Sequence, residues 1–357
     1  MQLALASYTV GSGHMLAVQR SRSGARARPR YSEQSSLLCT PALGCVSSRT
    51  PIQLQDLQKP AKTNMVNPNN DSIRLRRSVL YMPGSNERAM DKARSLNADT
   101  IILDLEDAVA PGVKEDAREK VAENVRAGGF GQREVLVRVN AVGTPWHDED
   151  MDMAIAIPCD GIVLPKVEDG STVQRVAETI ADSSGEKRLW AMLETPQGIL
   201  KAAEIAASST ALSCLLMGTT DLANELRLPE GAPVAGLTWS LGASVVAARA
   251  HGLDIIDGVH LDIKDEASFR QACQRARAYG FDGKSLIHPS QIEPANVAFA
   301  PDTSALEHAE RTIAAYEEAE ASGSGVAVLD GKLVEHLHVK TAQRTIALAR
   351  AVQAKSN

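Results

Sequence analysis

Two carboxylates in this 357-residue chain stand where they could grip a metal ion. The run Leu189 to Leu193 ends in Glu194 and is followed by Thr195-Pro196. The run Leu212 to Met217 passes Gly218 and Thr219-Thr220 to reach Asp221. Each is a short apolar run, then an acid, then a helix-start signal, and Pro196 suits a first helical turn. If both runs are parallel strands buried on two faces, their acids meet on one rim. A (β/α)8 barrel places its chemistry on that rim. Two hard oxygen ligands with no Cys/His cluster favour Mg2+ over Zn2+. Either acid alone would as readily cap a helix; the metal reading rests on the pair and on the groups around it.

The same rim should collect the acid-rich end of the second strand (Asp104, Glu106, Asp107), Arg138 in the third and Lys166 after the fourth. Arg138 alternates with Val137 and Val139, so it should face the barrel interior or its mouth. A buried guanidinium needs an anion. That anion is either a protein carboxylate, most simply Glu106 or Glu194, or a substrate carboxylate gripped through two parallel hydrogen bonds. A divalent cation beside an arginine suits enolate chemistry: the metal chelates a 2-oxo acid and disperses charge as a carbon–carbon bond forms or breaks.

The elements that must position these groups are read from alternating strand and helix signals. Strands are expected at 78–82, 100–107, 134–140, 161–166, 189–193, 212–217, 254–259 and 283–288, with helices between them. Eight units over about 220 residues fit one TIM barrel. An open doubly wound sheet would want a GxGxxG first turn, which is absent. Beyond the barrel, helices are expected at 304–321 and 334–354, with a loop or hairpin at 323–331. The expected organisation is therefore a tail (1–70), a barrel (71–300) and a C-terminal helical extension (301–357) that docks on a neighbouring subunit or covers a barrel mouth.

Composition narrows the function classes. Aromatic residues make up 3% of the chain, against a base-stacking surface. Residues 1–63 hold eight Lys/Arg and two acids, a balance of +6; the total is −6, so the remainder carries −12 and is a poor nucleic-acid partner. The first 32 residues contain five Arg, several Ser and no acid, the composition of an organelle-targeting presequence, so mitochondrial matrix import is expected. A disordered extension, or a start at Met65, is the alternative. No apolar run approaches the roughly 18 residues of a membrane span. The five cysteines show no metal-ligand spacing; Cys159, Cys214 and Cys273 read as reduced, buried small hydrophobes.

The segments RRSVLYMPGSNERAMDKA, DTIILDLEDAV, VLVRVN, GIVLPKVE, LETPQG, GTTDLA, DGVHLDIKD and GFDGKSLIHPSQI together resemble the citrate lyase beta-subunit/malyl-CoA lyase family, within the HpcH/HpaI aldolase group of Mg2+-dependent TIM barrels. The resemblance implies that Glu194 and Asp221 are the Mg2+ ligands. It implies that Arg138 holds the acid and steadies the enolate, and that Glu106 and Asp107 position metal waters. Arg77 and Lys114 resemble positions facing CoA phosphates. Acyl-CoA members commonly carry a GKxVD-type segment whose Asp reaches a neighbour's site as acid/base; here the segment reads Gly331-Lys332-Leu333-Val334-Glu335, so Glu335 is expected in that role. His336, His338 and His288 are read as structural.

The expected activity is retro-Claisen cleavage of citramalyl-CoA, or malyl-CoA, to acetyl-CoA and pyruvate or glyoxylate, by a homo-oligomer, trimer or hexamer. The rivals are a citrate lyase beta subunit working on an acyl-carrier protein, a malyl-CoA thioesterase or malate-synthase-like enzyme, and a non-catalytic regulatory paralogue.

Overall fold

The computed structural model describes residues 73–183, 187–229 and 233–356. The expectations for the tail, including Met65 as a start, lie outside the described residues.

The eight expected strands are β1 (Ser78–Pro83), β2 (Thr100–Asp104), β3 (Glu134–Arg138), β4 (Gly161–Leu164), β5 (Arg188–Leu193), β6 (Leu212–Met217), β7 (Asp254–Asp257) and β8 (Gly283–Leu286). Every neighbour pair is parallel, and β8 returns onto β1 with Ser78 opposite Lys284, closing the barrel. Period-2 alternation splits these strands into two apolar surfaces. Val79, Ile102, Leu136, Val163, Trp190, Leu216 and Ile256 fill the lumen as one cluster. Leu80, Leu103, Val137, Leu164, Leu193 and Leu215 form the other surface, under the helices. Burying each such side chain is worth about 1.5–3 kcal/mol, so the register is held firmly. One more step of alternation past Ile102, Leu136 and Met192 carries Asp104, Arg138 and Glu194 onto the rim of the lumen.

Around the barrel lie α1 (Glu87–Ala93), α2 (Lys114–Ala127), α3 (His147–Ala156), α4 (Gly170–Asp182), α5 (Pro196–Leu200), α6 (Ala202–Ala206), α7 (Thr219–Glu225), α8 (Pro233–Ala250), α9 (Glu266–Tyr279) and α10 (Ile292–Phe299). Several are started by side chains that accept from the first turn: Asn86, Asp169, Thr195 and Asp265 each cap the helix that follows. Strand β2 stops at Asp104 rather than running to 107. The Asp104 carboxylate accepts the N–H groups of Glu106 (2.9 Å) and Ala108 (3.1 Å), which turns the chain off the sheet.

The extension consists of α11 (Thr303–Ala321), an antiparallel hairpin of β9 (Ala327–Leu329) and β10 (Lys332–Val334), and α12 (His336–Ser356). The hairpin turns at Asp330 and Gly331, both with positive φ (50° and 75°), as a tight two-residue turn demands. At the far end of α12, Lys355 bonds to Asp99 (2.5 Å) and to the carbonyl of Ala98 (2.7 Å). No helix among the described residues is long and apolar enough to cross a membrane.

Candidate active site

The rim at the C-terminal ends of β2 to β6 holds most of the residues singled out from sequence. Asp104 and Arg138 face each other across adjacent strands. The guanidinium gives Nε to one carboxylate oxygen of Asp104 (2.6 Å) and Nη2 to the other (2.7 Å). Its Nη1 pairs with Glu106 at 2.9 Å and lies 3.5 Å from Asp107. The ring of Tyr81 lies beneath, 4.9 Å from the guanidinium carbon. Asp104 and Arg138 are 1% and 7% exposed, so this is a desolvated pair.

This arrangement corrects the bidentate expectation for Arg138. Its two-pronged partner is the protein carboxylate of Asp104, while Glu106, the partner expected from sequence, is ion-paired to Nη1 at 2.9 Å. Nη1 also donates to Met192 Sδ at 3.8 Å, so what remains for a substrate oxygen is the second proton of Nη2.

Glu194 follows β5 directly and is 2% exposed. Its Oε1 accepts the backbone N–H of Lys166 at 2.7 Å. Its other side lies flat on Gly218: a Cβ there would sit 2.4 Å from both Cβ and Oε2 of Glu194. Asp221 stands in the first turn of α7, where an acid is favoured by the helix dipole. Lys166 links the group. Its ammonium bonds Glu106 and lies 3.8 Å from Asp107 and 3.8 Å from Asp221. Burial, with the charge of Glu106 beside it, pushes Glu194 up to about 8, against the pull of Lys166 and Arg138. Burial likewise raises Glu106, despite Arg138 and Lys166.

Mg2+ fits these residues. The donors are all carboxylate oxygens, and buried Glu106 Oε2 accepts no hydrogen bond, its 2.9 Å contact with Arg138 being an ion pair only. Among the described residues no three or more His, Cys, Asp or Glu converge as a ready-made cage. An ion here would be held by Glu194 and Asp221, with water and substrate completing its shell, the usual manner for Mg2+.

Two expectations for basic residues are overturned. Arg77 lies at the opposite, N-terminal end of the barrel. Its Nε and Nη2 bond the two oxygens of Asp99 (2.8 and 2.9 Å), tying the start of β1 to that of β2. Lys114 is beside the mouth, but its three protons go to the carbonyls of Leu105 and Glu106 (both 2.8 Å) and to Asn140 Oδ1 (2.6 Å). It clamps the loop after β2 and has nothing left for a phosphate. A buried cation was read as a phosphate contact because spacing alone does not show which acceptors surround it.

Glu335 opens α12, its backbone N–H donated to His338 Nδ1 (2.9 Å), and it makes no ion pair with Arg138 or Lys166. His288 caps the turn Pro289–Gln291, its Nδ1 sharing a proton with Ser290 Oγ at 2.8 Å, and His338 caps α12; both are structural. Sequence reasoning placed Asp104 on the rim but did not name it as the partner of Arg138, and it gave Gly218 no role. The signal for Asp104 was available: it shares the lumen-facing phase of its strand with Glu106, one strand from Arg138.

Comparison with known proteins follows the same lines. The family model described as HpcH/HpaI aldolase/citrate lyase matches residues 77–289. A (3S)-malyl-CoA thioesterase from Cereibacter sphaeroides is 49% identical over 278 residues, covering 78% of this chain and 96% of that protein. Citrate lyase subunit beta from Leuconostoc mesenteroides subsp. cremoris is 34% identical, covering 78% of this chain and 94% of that one. Among solved structures, CitE from Mycobacterium tuberculosis in complex with magnesium, acetoacetate and coenzyme A superposes with a TM-score of 0.65 at 29% identity, covering 76% of this chain and 97% of that one.

Proposed function

The chain belongs to the HpcH/HpaI aldolase/citrate lyase family, and from that premise we propose that it is a Mg2+-dependent carbon–carbon lyase for CoA thioesters of the malyl type, citramalyl-CoA foremost. The observation that carries the reading is the rim itself: Glu194 and Asp221 gathered by Lys166, beside an arginine that Asp104 orients and that keeps one Nη2 proton unspent. Bound by Glu194 and Asp221, Mg2+ would supply Lewis-acid stabilisation of the oxygen that becomes the 2-oxo group, worth several kcal/mol. Arg138 takes an oxygen of the substrate carboxylate on its remaining Nη2 proton, its tilt set by Asp104. A base removes the hydroxyl proton, the C2–C3 bond breaks, and its electron pair passes to the carbon next to the thioester. Protonation of that carbon gives acetyl-CoA and leaves pyruvate or glyoxylate. CitE structures containing oxaloacetate or pyruvate with magnesium support chelation of such acids in this fold.

The proton donor we assign is Glu335 of a neighbouring subunit. It lies between Leu333 and Leu337, 54% and 59% exposed, with Val328 nearby on the hairpin at 70%; such an apolar surround supports burial against a second copy. Hydrolysis of (3S)-malyl-CoA is the second reading, favoured by the 49% identity over nearly the whole thioesterase.

One incubation separates them. Purified protein with Mg2+ and either citramalyl-CoA or (3S)-malyl-CoA is followed both for 2-oxo acid and for free thiol. Release of 2-oxo acid without thiol supports the lyase. Thiol without 2-oxo acid establishes the hydrolase, and full turnover in excess EDTA removes the metal from both readings.

A further inference from the structure

Lys166 has an unusual backbone for its type. It follows β4 and Pro165 with φ of 51°, one of three non-glycine residues among those described with positive φ. Such a residue carries a steric cost that a glycine would avoid. Its conformation does two things at once. The N–H points across to Glu194 Oε1 at 2.7 Å. The side chain returns over the rim to Glu106, with Asp107 and Asp221 each 3.8 Å from the ammonium. A single residue thus touches the acid after β5, the acids after β2 and the acid in α7.

Resting on the Mg2+ reading above, the geometry points to Lys166 as an exchangeable counter-cation: its ammonium holds the acids of the rim together until a divalent ion binds at Glu194 and Asp221, and is then displaced. Asp221 cannot give its charge fully to both cations, and two positive centres a few ångströms apart repel. The contact with Glu194 is made by the backbone, so it survives the exchange. The side chain is 39% exposed, which leaves it room to leave the cluster. Lys166 is a positioning residue in this account: it sets the acids for the metal and does not act on substrate.

The test is Mn2+ titration of the full-length protein by electron paramagnetic resonance, with thermal unfolding of the same samples. Lys166→Met keeps the N–H to Glu194 and removes the charge. It should bind Mn2+ about tenfold more tightly than the parent, since Coulomb repulsion between a partly exposed ammonium and the ion disappears. Without metal it should melt below the parent, and Mn2+ should raise its melting temperature by more than it raises the parent's. Lys166→Arg, which keeps the charge, should restore the parent's affinity. Unchanged or weaker Mn2+ binding by Lys166→Met, with binding still lost in Glu194→Gln, overturns the exchange alone. Equal binding by the parent and Glu194→Gln overturns the metal site and the exchange with it.

Discussion

The pair Asp104–Arg138 offers the sharpest test of how the rim is built. Both groups are nearly inaccessible, 1% and 7% exposed, and they share two hydrogen bonds of 2.6 and 2.7 Å. Changing Asp104 to Asn puts an amide where Arg138 needs an acceptor and leaves a desolvated guanidinium paired only through Nη1. Arg138→Gln leaves the Asp104 carboxylate equally stranded. Removing one partner of such a buried pair costs about 3–5 kcal/mol. The double variant strands neither charge, so its cost should fall well short of the sum of the singles, by about 2 kcal/mol or more. Some loss must persist, because Asp104 also accepts from Glu106 and Ala108, and those bonds are worth about 1 kcal/mol each. Urea unfolding of the three variants measures this, read as a midpoint shift at constant slope. Additive single costs would show that the two side chains do not act as a unit, and the account of Arg138's orientation would fail.

Three further outcomes follow from individual contacts. Gly218→Ala would set a methyl 2.4 Å from Glu194, so Mn2+ affinity should fall at least about tenfold; parent-like binding would remove Glu194 from the ligand set. Lys114→Met should cost about 2–3 kcal/mol by orphaning buried acceptors, while the salt dependence of KM for the CoA ester stays that of the parent; a flattened salt dependence would restore Lys114 as a phosphate contact. For Asp99, burial works upward, but Arg77 and then Lys355 win and hold its carboxyl below the ordinary 3.8. A depressed carboxyl contributes stability that is complete above 3.8 and is lost as pH falls through the lowered value. Asp99→Asn should therefore cost about 3–5 kcal/mol near neutral pH, and the gap from the parent should close in acid; a gap independent of pH refutes this.

The barrel was legible because each strand advertises itself twice, as an apolar run and by the turn or cap after it. The same alternation that fills the lumen with Ile102, Leu136 and Met192 carries Asp104, Arg138 and Glu194 to the rim, so the places of these three were readable from phase, whereas Asp221 sits in α7, beyond any strand. Partnership was not. Whether Arg138 meets Asp104 or Glu106 depends on inter-strand register, which a single chain does not print. Lys114 and Arg77 looked alike as basic residues near acids, yet one tops the barrel and the other closes its base. Their roles depend on three-dimensional acceptors such as Asn140 and Asp99, 26 and 22 residues away. Gly218 was read as part of a joint because a close approach leaves no mark in composition.

Charge at the rim leads to a last expectation, about the order in which ligands bind. Five carboxylates, from Asp104, Glu106, Asp107, Glu194 and Asp221, meet two cations, Arg138 and Lys166. Asp104 consumes the better face of Arg138, and burial already disfavours the charged forms of Glu106 and Glu194. A substrate carboxylate approaching this rim alone would meet a surplus of like charge. At an effective dielectric near 20, one uncompensated pair at about 4 Å costs about 4 kcal/mol. A divalent cation offsets most of that surplus before the acid arrives and gives its oxygens a positive centre to meet. Oxaloacetate, titrated calorimetrically into the protein, should therefore bind at least about a hundredfold more weakly in EDTA than in saturating Mg2+. Equal affinity in the two conditions would mean that Arg138 alone captures the acid, and that the carboxylates of the rim serve the fold rather than a metal.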